Sequence, residues 1–201
     1  MIFRSRLPDI EMPNVDLATY VFEQGKKEYN SSLNRKGFAV YDEDSGQGMS
    51  IEYLEKLSSN FASGLINKLN FHFDDTLMLF APNSANFVVS LFGTLMAGGI
   101  VTFANPSYTH NELSHQINDS KPKFIATSFE LLDVAKKAII GSKQNIPPQN
   151  IIIIDYIEPK VGSYTLISNL YDTRAYKRFV IEKGQDADKK VAFLPYSSGT
   201  T

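Results

Sequence analysis

Residues 76–84 read Thr76-Leu77-Met78-Leu79-Phe80-Ala81-Pro82-Asn83-Ser84, and residues 97–103 read Ala97-Gly98-Gly99-Ile100-Val101-Thr102-Phe103. The first run is apolar from end to end, as a strand buried on both faces requires. Pro82-Asn83-Ser84 breaks it and opens a helix through Ala97. Gly98-Gly99 stops that helix, because glycine adopts the left-handed conformation that closes a helix C-terminus at little cost. Ile100–Phe103 is the next strand. A buried strand, a helix and a second buried strand form one unit of a parallel sheet.

The same rhythm continues on both sides. Thr109-His110-Asn111-Glu112 matches a capping box, in which Thr109 accepts from the third helical amide and Glu112 reaches back. Lys123–Thr127 is a strand, Glu130–Ile140 a helix, and Ile151–Asp155 another strand. Val191–Tyr196 is the last strand candidate, after a more polar stretch over Tyr156–Lys190. Upstream, Asp16 to Ser31 reads as a helix with Leu17, Tyr20, Val21 and Gln24 on one face. Gly37–Tyr41 is a short strand, and Asp42–Gly48 a hairpin loop. Ser50 caps a helix carrying Leu54, Leu57, Phe61, Leu65 and Leu69 at spacings of three and four. The expected fold is α/β: a doubly wound, mostly parallel sheet with helices on both faces.

Composition narrows the function. The 201 residues hold 20 basic and 22 acidic side chains, a net charge of −2, with 43% hydrophobic residues and no cysteine. Disulfide scaffolds, cysteine metal sites and cysteine nucleophiles are therefore excluded. The slightly acidic balance does not suit nucleic acid, whose phosphates call for a basic surface. Pro8, Asp9 and Glu11 stand where the apolar part of a secretory signal would begin, so an intracellular protein is expected. The run Phe87–Ala104 approaches the ~20 apolar residues of a spanning helix. Gly98-Gly99 and the strand pattern after them favour a buried helix and strand instead. His110 and His115 are five apart, about 500° around a helix, so they share no face and suit no metal site. His72, between Phe71 and Phe73, reads as a strand or loop residue. Lys26-Lys27 and Lys136-Lys137 read as solvated helix faces.

The last strand opens into Ser197-Ser198-Gly199-Thr200-Thr201. A loop of this kind after a parallel strand suits phosphate. Glycine lets the backbone approach, amides point outward, and four hydroxyls can donate to phosphate oxygens. It lacks the spacing and the lysine of a Walker loop.

Tyr196-Ser197-Ser198-Gly199-Thr200-Thr201 resembles the opening of the phosphate-loop signature of adenylate-forming, AMP-binding enzymes. The resemblance runs along the chain. Arg4–Asn14, Ala81-Pro82-Asn83-Ser84, Gly93, Ala97–Val101 and Ala104–Thr109, followed by Glu112, Leu113 and Gln116, look like 4-coumarate–CoA ligase-like acyl-CoA synthetases. The resemblance implies a ligase that activates a carboxylic acid with ATP as an acyl-adenylate and transfers it to coenzyme A. It implies that Ser197, Ser198, Gly199, Thr200 and Thr201 hold the β- and γ-phosphates, with Mg2+ accompanying ATP. It names no catalytic residue within these positions and no metal ligand. It implies a cytoplasmic or peroxisomal location. Members of that family are more than twice as long. Residues 1–201 are thus expected to be the N-terminal part of an adenylation domain, without the remaining large-domain portion and the small C-terminal domain, and inactive alone. The alternative is a non-catalytic α/β binding or interaction domain that shares the fold.

Overall fold

The computed structural model describes residues 13–31, 37–43, 46–155 and 162–197. The expected unit around residues 76–103 forms as β3 (Thr76–Phe80), α3 (Ala85–Met96) and β4 (Ile100–Phe103). Each boundary has a local cause. The Ser84 side chain accepts from the Phe87 amide at 3.1 Å and caps α3. Gly98, at φ +81°, turns the chain out of it. The Ile100 amide then donates to Asp75 O at 2.9 Å, bringing β4 alongside β3.

Helix α4 (His110–Ser120) begins at the capping box. The Thr109 amide donates to Glu112 Oε2 at 2.8 Å, and the Glu112 amide returns to Thr109 Oγ1 at 3.4 Å. There follow β5 (Phe124–Thr127), α5 (Leu132–Gly141) and β6 (Ile151–Ile153); β5 starts one residue later than its sequence pattern, β6 ends two earlier, and α5 starts two later and ends one later. Before this unit come α1 (Leu17–Ser31), the antiparallel hairpin of β1 (Val40–Asp42) and β2 (Gln47–Met49), and α2 (Ile51–Leu69). Ser50 caps α2 by accepting from the Tyr53 amide at 3.2 Å. After it come β7 (Thr165–Leu166), α6 (Ile167–Leu170) and β8 (Phe193–Leu194).

Six strands make one sheet in the order β7-β6-β5-β3-β4-β8, and every neighbouring pair is parallel. Alternation along the strands divides the core in two. Leu77, Leu79, Val101, Phe124, Ala126 and Ile152 face α1, α2 and α3, with Phe22, Phe61 and Val89. Met78, Phe80, Ile125, Ile151 and Ile153 face α4 and α5, with Leu113, Ile117, Leu132, Ala135 and Ala138. Helices on both faces, over strands apolar on both faces, are the doubly wound architecture the sequence pattern implies.

The stretch Tyr156–Lys190 and the inward side of α1 differ from the expectation, whereas the run Phe87–Ala104 forms the expected helix and strand. The stretch Tyr156–Lys190 supplies the edge strand β7 and the short helix α6. Of its described residues, 171–190 run as a largely irregular strap tied to α2, where Ser63 Oγ donates to Arg174 O at 2.8 Å and the Asp172 amide to Asn60 O at 3.0 Å. Helix α1 buries Ala18 and Phe22, while Leu17 and Tyr20 are exposed. The Phe22 ring meets Phe92 at 4.9 Å and Gly25 packs on Ile51, which turns the small-residue side of α1 inward. The apolar run Phe87–Ala104 divides between α3 and β4, and among the described residues no helix is long and apolar enough to cross a membrane.

Candidate functional site

In a doubly wound sheet, a crevice forms at the carboxyl ends where adjacent strands send their connections to opposite faces. Strand β3 meets that condition against both of its neighbours, β4 and β5. The loop after β3 leads to α3 on one face, and the loop after β4 leads to α4 on the other. The loop after β4 is braced. The Ala104 amide donates to Leu79 O at 2.9 Å, and the Ser107 amide to Asn105 Oδ1 at 2.9 Å. Along the same end of the sheet, Asn86 Nδ2 donates to Ile154 O at 2.6 Å, and the Phe129 amide to Asp155 Oδ1 at 2.7 Å.

Strand β8 joins this end on the far side of β4, with Val101 opposite Phe193 and Thr102 opposite Leu194. The Phe193 ring packs on Phe103 at 5.4 Å. Pro195 ends the ladder, since it has no amide to donate. Tyr196 follows, and its hydroxyl donates to the Asp119 carboxylate on α4. Partial burial and that carboxylate push the phenol up to about 12, so it keeps its proton and remains a donor.

Of the five residues expected to hold phosphate, Ser197 is described. It is exposed and sits directly beyond β8 at the carboxyl end of the sheet. Ser198, Gly199, Thr200 and Thr201 lie outside the described residues. His72, His110 and His115 are exposed and do not converge. Among the described residues no group of three or more His, Asp or Glu side chains could hold a metal ion. Sequence reasoning missed the supports around β8: Thr102 donates to Leu194 O, Gln116 donates to Thr102, and Asp119 accepts from Tyr196 just beyond the strand. The signal available for them was the spacing of Gln116 and Asp119, one turn apart on α4.

Cavities lie elsewhere. One of about 990 Å³ opens at the amino ends of the strands, with His72, Phe73, Asp74, Ile100 and Lys190 in its wall. Another of about 470 Å³ separates the start of α1 from the segment leading into β8, and Leu17 and Tyr20 line it.

A doubly wound parallel sheet with helices on both faces, from whose carboxyl end Ser197 leaves, defines the class as α/β. Residues 30–201 match the family of AMP-binding enzymes, and the chain belongs to that family. It is 35% identical to 4-coumarate–CoA ligase 3 of Arabidopsis thaliana over 204 residues, which cover 100% of this chain and 33% of that relative. It is 36% identical to 4-coumarate–CoA ligase 2 of Petroselinum crispum, over 100% of this chain and 34% of that relative. The chain thus spans about a third of the length of the curated relatives it matches. The fold matches an anthranilate CoA ligase crystallised with anthranoyl-AMP, with a TM-score of 0.72 and 19% identity over 94% of this chain and 34% of that one. A long-chain-fatty-acid-CoA ligase from Archaeoglobus fulgidus matches with a TM-score of 0.72 and 16% identity, over 99% of this chain and 37% of that one.

Proposed function

We propose that residues 1–201 form the N-terminal part of the adenylation domain of an acyl- or aryl-CoA ligase, and that the loop Ser197–Thr201 holds the β- and γ-phosphates of ATP. The observation that carries this reading is the position of Ser197. It leaves an edge strand at the carboxyl end of the sheet, one strand away from the point where the loops after β3 and β4 part. The family match and the ligase relatives support the same reading.

The chemistry has two steps. A carboxylate oxygen of the acid attacks the α-phosphorus of ATP, the bond to the bridging oxygen breaks, and pyrophosphate leaves with the electron pair. The coenzyme A sulfur then attacks the acyl carbon and AMP departs. Hydroxyls and amides of the loop act by holding pyrophosphate in line and stabilising its growing charge, rather than by moving protons. Among the described residues no three His, Asp or Glu side chains come together as metal ligands. Under this proposal Mg2+ arrives on the ATP phosphates, and no step here is assigned to it.

The acid pocket and the mobile domain of such a ligase lie outside these residues, so the 201-residue chain alone is inactive. The test is thioester formation from coenzyme A, ATP and a panel of aromatic and aliphatic acids. A polypeptide of the relatives' full length that contains this chain forms thioester, and the 201-residue chain does not. Thioester from the short chain contradicts the inactivity. No thioester from the long one contradicts the ligase assignment and favours a non-catalytic domain.

A further inference from the structure

Strand β8 has little of its own to hold it. Its ladder is two residues long, it pairs on one side, and Pro195 follows. Yet the loop proposed to hold phosphate starts three residues beyond Leu194. What the short ladder lacks is supplied from α4 through β4. The hydroxyl of Thr102, 0% exposed, donates to Leu194 O at 2.9 Å. The same hydroxyl accepts from Gln116 Nε2 at 3.1 Å, and that nitrogen also donates to Phe103 O at 2.8 Å. Gln116 is 4% exposed, and its amide oxygen has no partner among the described residues. The side chain is thus held at its nitrogen, across the end of β4. One turn further along α4, Asp119 accepts from the Tyr196 hydroxyl. The start of α4 is fixed by the Thr109–Glu112 box. Buried side-chain networks whose members share hydrogens specify one geometry more sharply than separate bonds do.

We infer that Gln116, Thr102 and Asp119 are positioning residues that clamp the end of β8 and set the direction in which Ser197 leaves the sheet. They touch neither nucleotide nor acid. They act through Leu194 O and Tyr196 Oη. The inference rests on the ligase reading for its consequence in catalysis, and on the geometry alone for the clamp itself. It also assigns physical work to Gln116 and to the Thr109–Glu112 pair, which the phosphate loop leaves unused.

The test has two arms. In the 201-residue chain, amide hydrogen exchange is followed at Leu194, in the ladder with β4, in the wild type and in Thr102→Val, Gln116→Leu and Tyr196→Phe. Losing one of these hydrogen bonds speeds exchange at this amide about tenfold, while β3 and β5 keep their protection. Tyr196→Phe removes one surface hydroxyl and guards against a variant that fails to fold. Exchange at β8 equal to wild type in all three variants overturns the clamp.

In the ligase-length protein, Thr102→Val raises the KM for ATP about tenfold and leaves the KM for the acid unchanged, and Thr102→Ser, which keeps the hydroxyl, restores the wild-type value. Equal rises in both KM values, or failure of Thr102→Ser to restore, overturns the positioning role. A wild-type ligase-length protein without adenylate formation refutes the ligase reading and with it the catalytic consequence. The exchange arm then decides the clamp by itself.

Discussion

Gly93→Ala tests how tightly α2 and α3 are packed beneath the sheet. In a solvent-exposed helix this change stabilises by about 1 kcal/mol, because alanine costs less backbone entropy. At Gly93 the added methyl meets Phe61 Cδ1 at 2.6 Å, Ser58 O at 2.7 Å and Phe61 Cβ at 3.1 Å. The Phe61 ring is fully buried and has no free space to turn into, and the Ser58 carbonyl belongs to the backbone of α2. An ordinary contact of about 3.4 Å needs α2 to retreat by roughly 0.7 Å. Such overpacking costs about 1–3 kcal/mol, and a backbone contact belongs at the upper end of that range. The net effect is a loss of about 2 kcal/mol, or a Tm lower by about 4–8 °C for a domain of this size. Urea unfolding followed by circular dichroism measures it. Gly37→Ala is the control, since a methyl there meets nothing within 4 Å. A Gly93→Ala chain as stable as wild type, or more so, refutes the packing argument.

Gly64→Ala should be worse still, because its methyl falls 1.7 Å from Leu170 O. The expected result is loss of the α2–α6 contact, read as rapid amide exchange across residues 167–174. Thr109→Ala removes half of the capping box and costs about 1 kcal/mol, measured by chemical denaturation. Asp172 carries a pH prediction. Hydrogen bonds from the Arg174 guanidinium and amide, at 2.6–2.9 Å, hold its carboxyl down to about 2, from the usual 3.8. A carboxyl lowered on folding stabilises above its unfolded value, and that contribution fades as the pH falls from about 4 to about 2. Asp172→Asn should therefore lower stability at neutral pH and flatten the acid limb over that interval. An unchanged acid limb contradicts it. Among the described residues, strands β7 and β8 each present an unpaired edge, and such edges template association. The isolated 201-residue chain is expected to self-associate as concentration rises, which sedimentation velocity measures, and a monodisperse chain contradicts this.

The parts of the fold that sequence reveals are those whose signals are local. Thr76–Phe103 declares itself through an apolar run, Ser84, and Gly98 at positive φ. The Thr109–Glu112 box is likewise a four-residue feature, and the structure forms both of its bonds. The inward side of α1 was not legible. Leu17 and Tyr20 look like a buried stripe by hydropathy, but Phe22 and Gly25 fit against Phe92 and Ile51, and only the assembled helix layer selects between the two sides. Strand β7 escaped because two residues, Thr165 and Leu166, carry no periodicity; pairing with Ile152 and Ile153 makes them a strand. The phosphate-binding end divides in the same way. The hydroxyl–glycine run is readable as composition. The Thr102–Gln116 relay joins residues 14 apart to a carbonyl 92 residues away from Thr102, and only the folded sheet brings them together.

The central claim is that Ser197–Thr201 holds the phosphates of ATP in an acid-activating ligase. Acid-dependent exchange of pyrophosphate into ATP reads that step alone, before coenzyme A takes part. In the ligase-length protein, the double substitution Ser198→Ala/Thr200→Ala should slow the exchange about 10²-fold, the effect of removing donors aimed at developing charge. The exchange should remain dependent on the acid. An exchange rate equal to wild type would contradict the account.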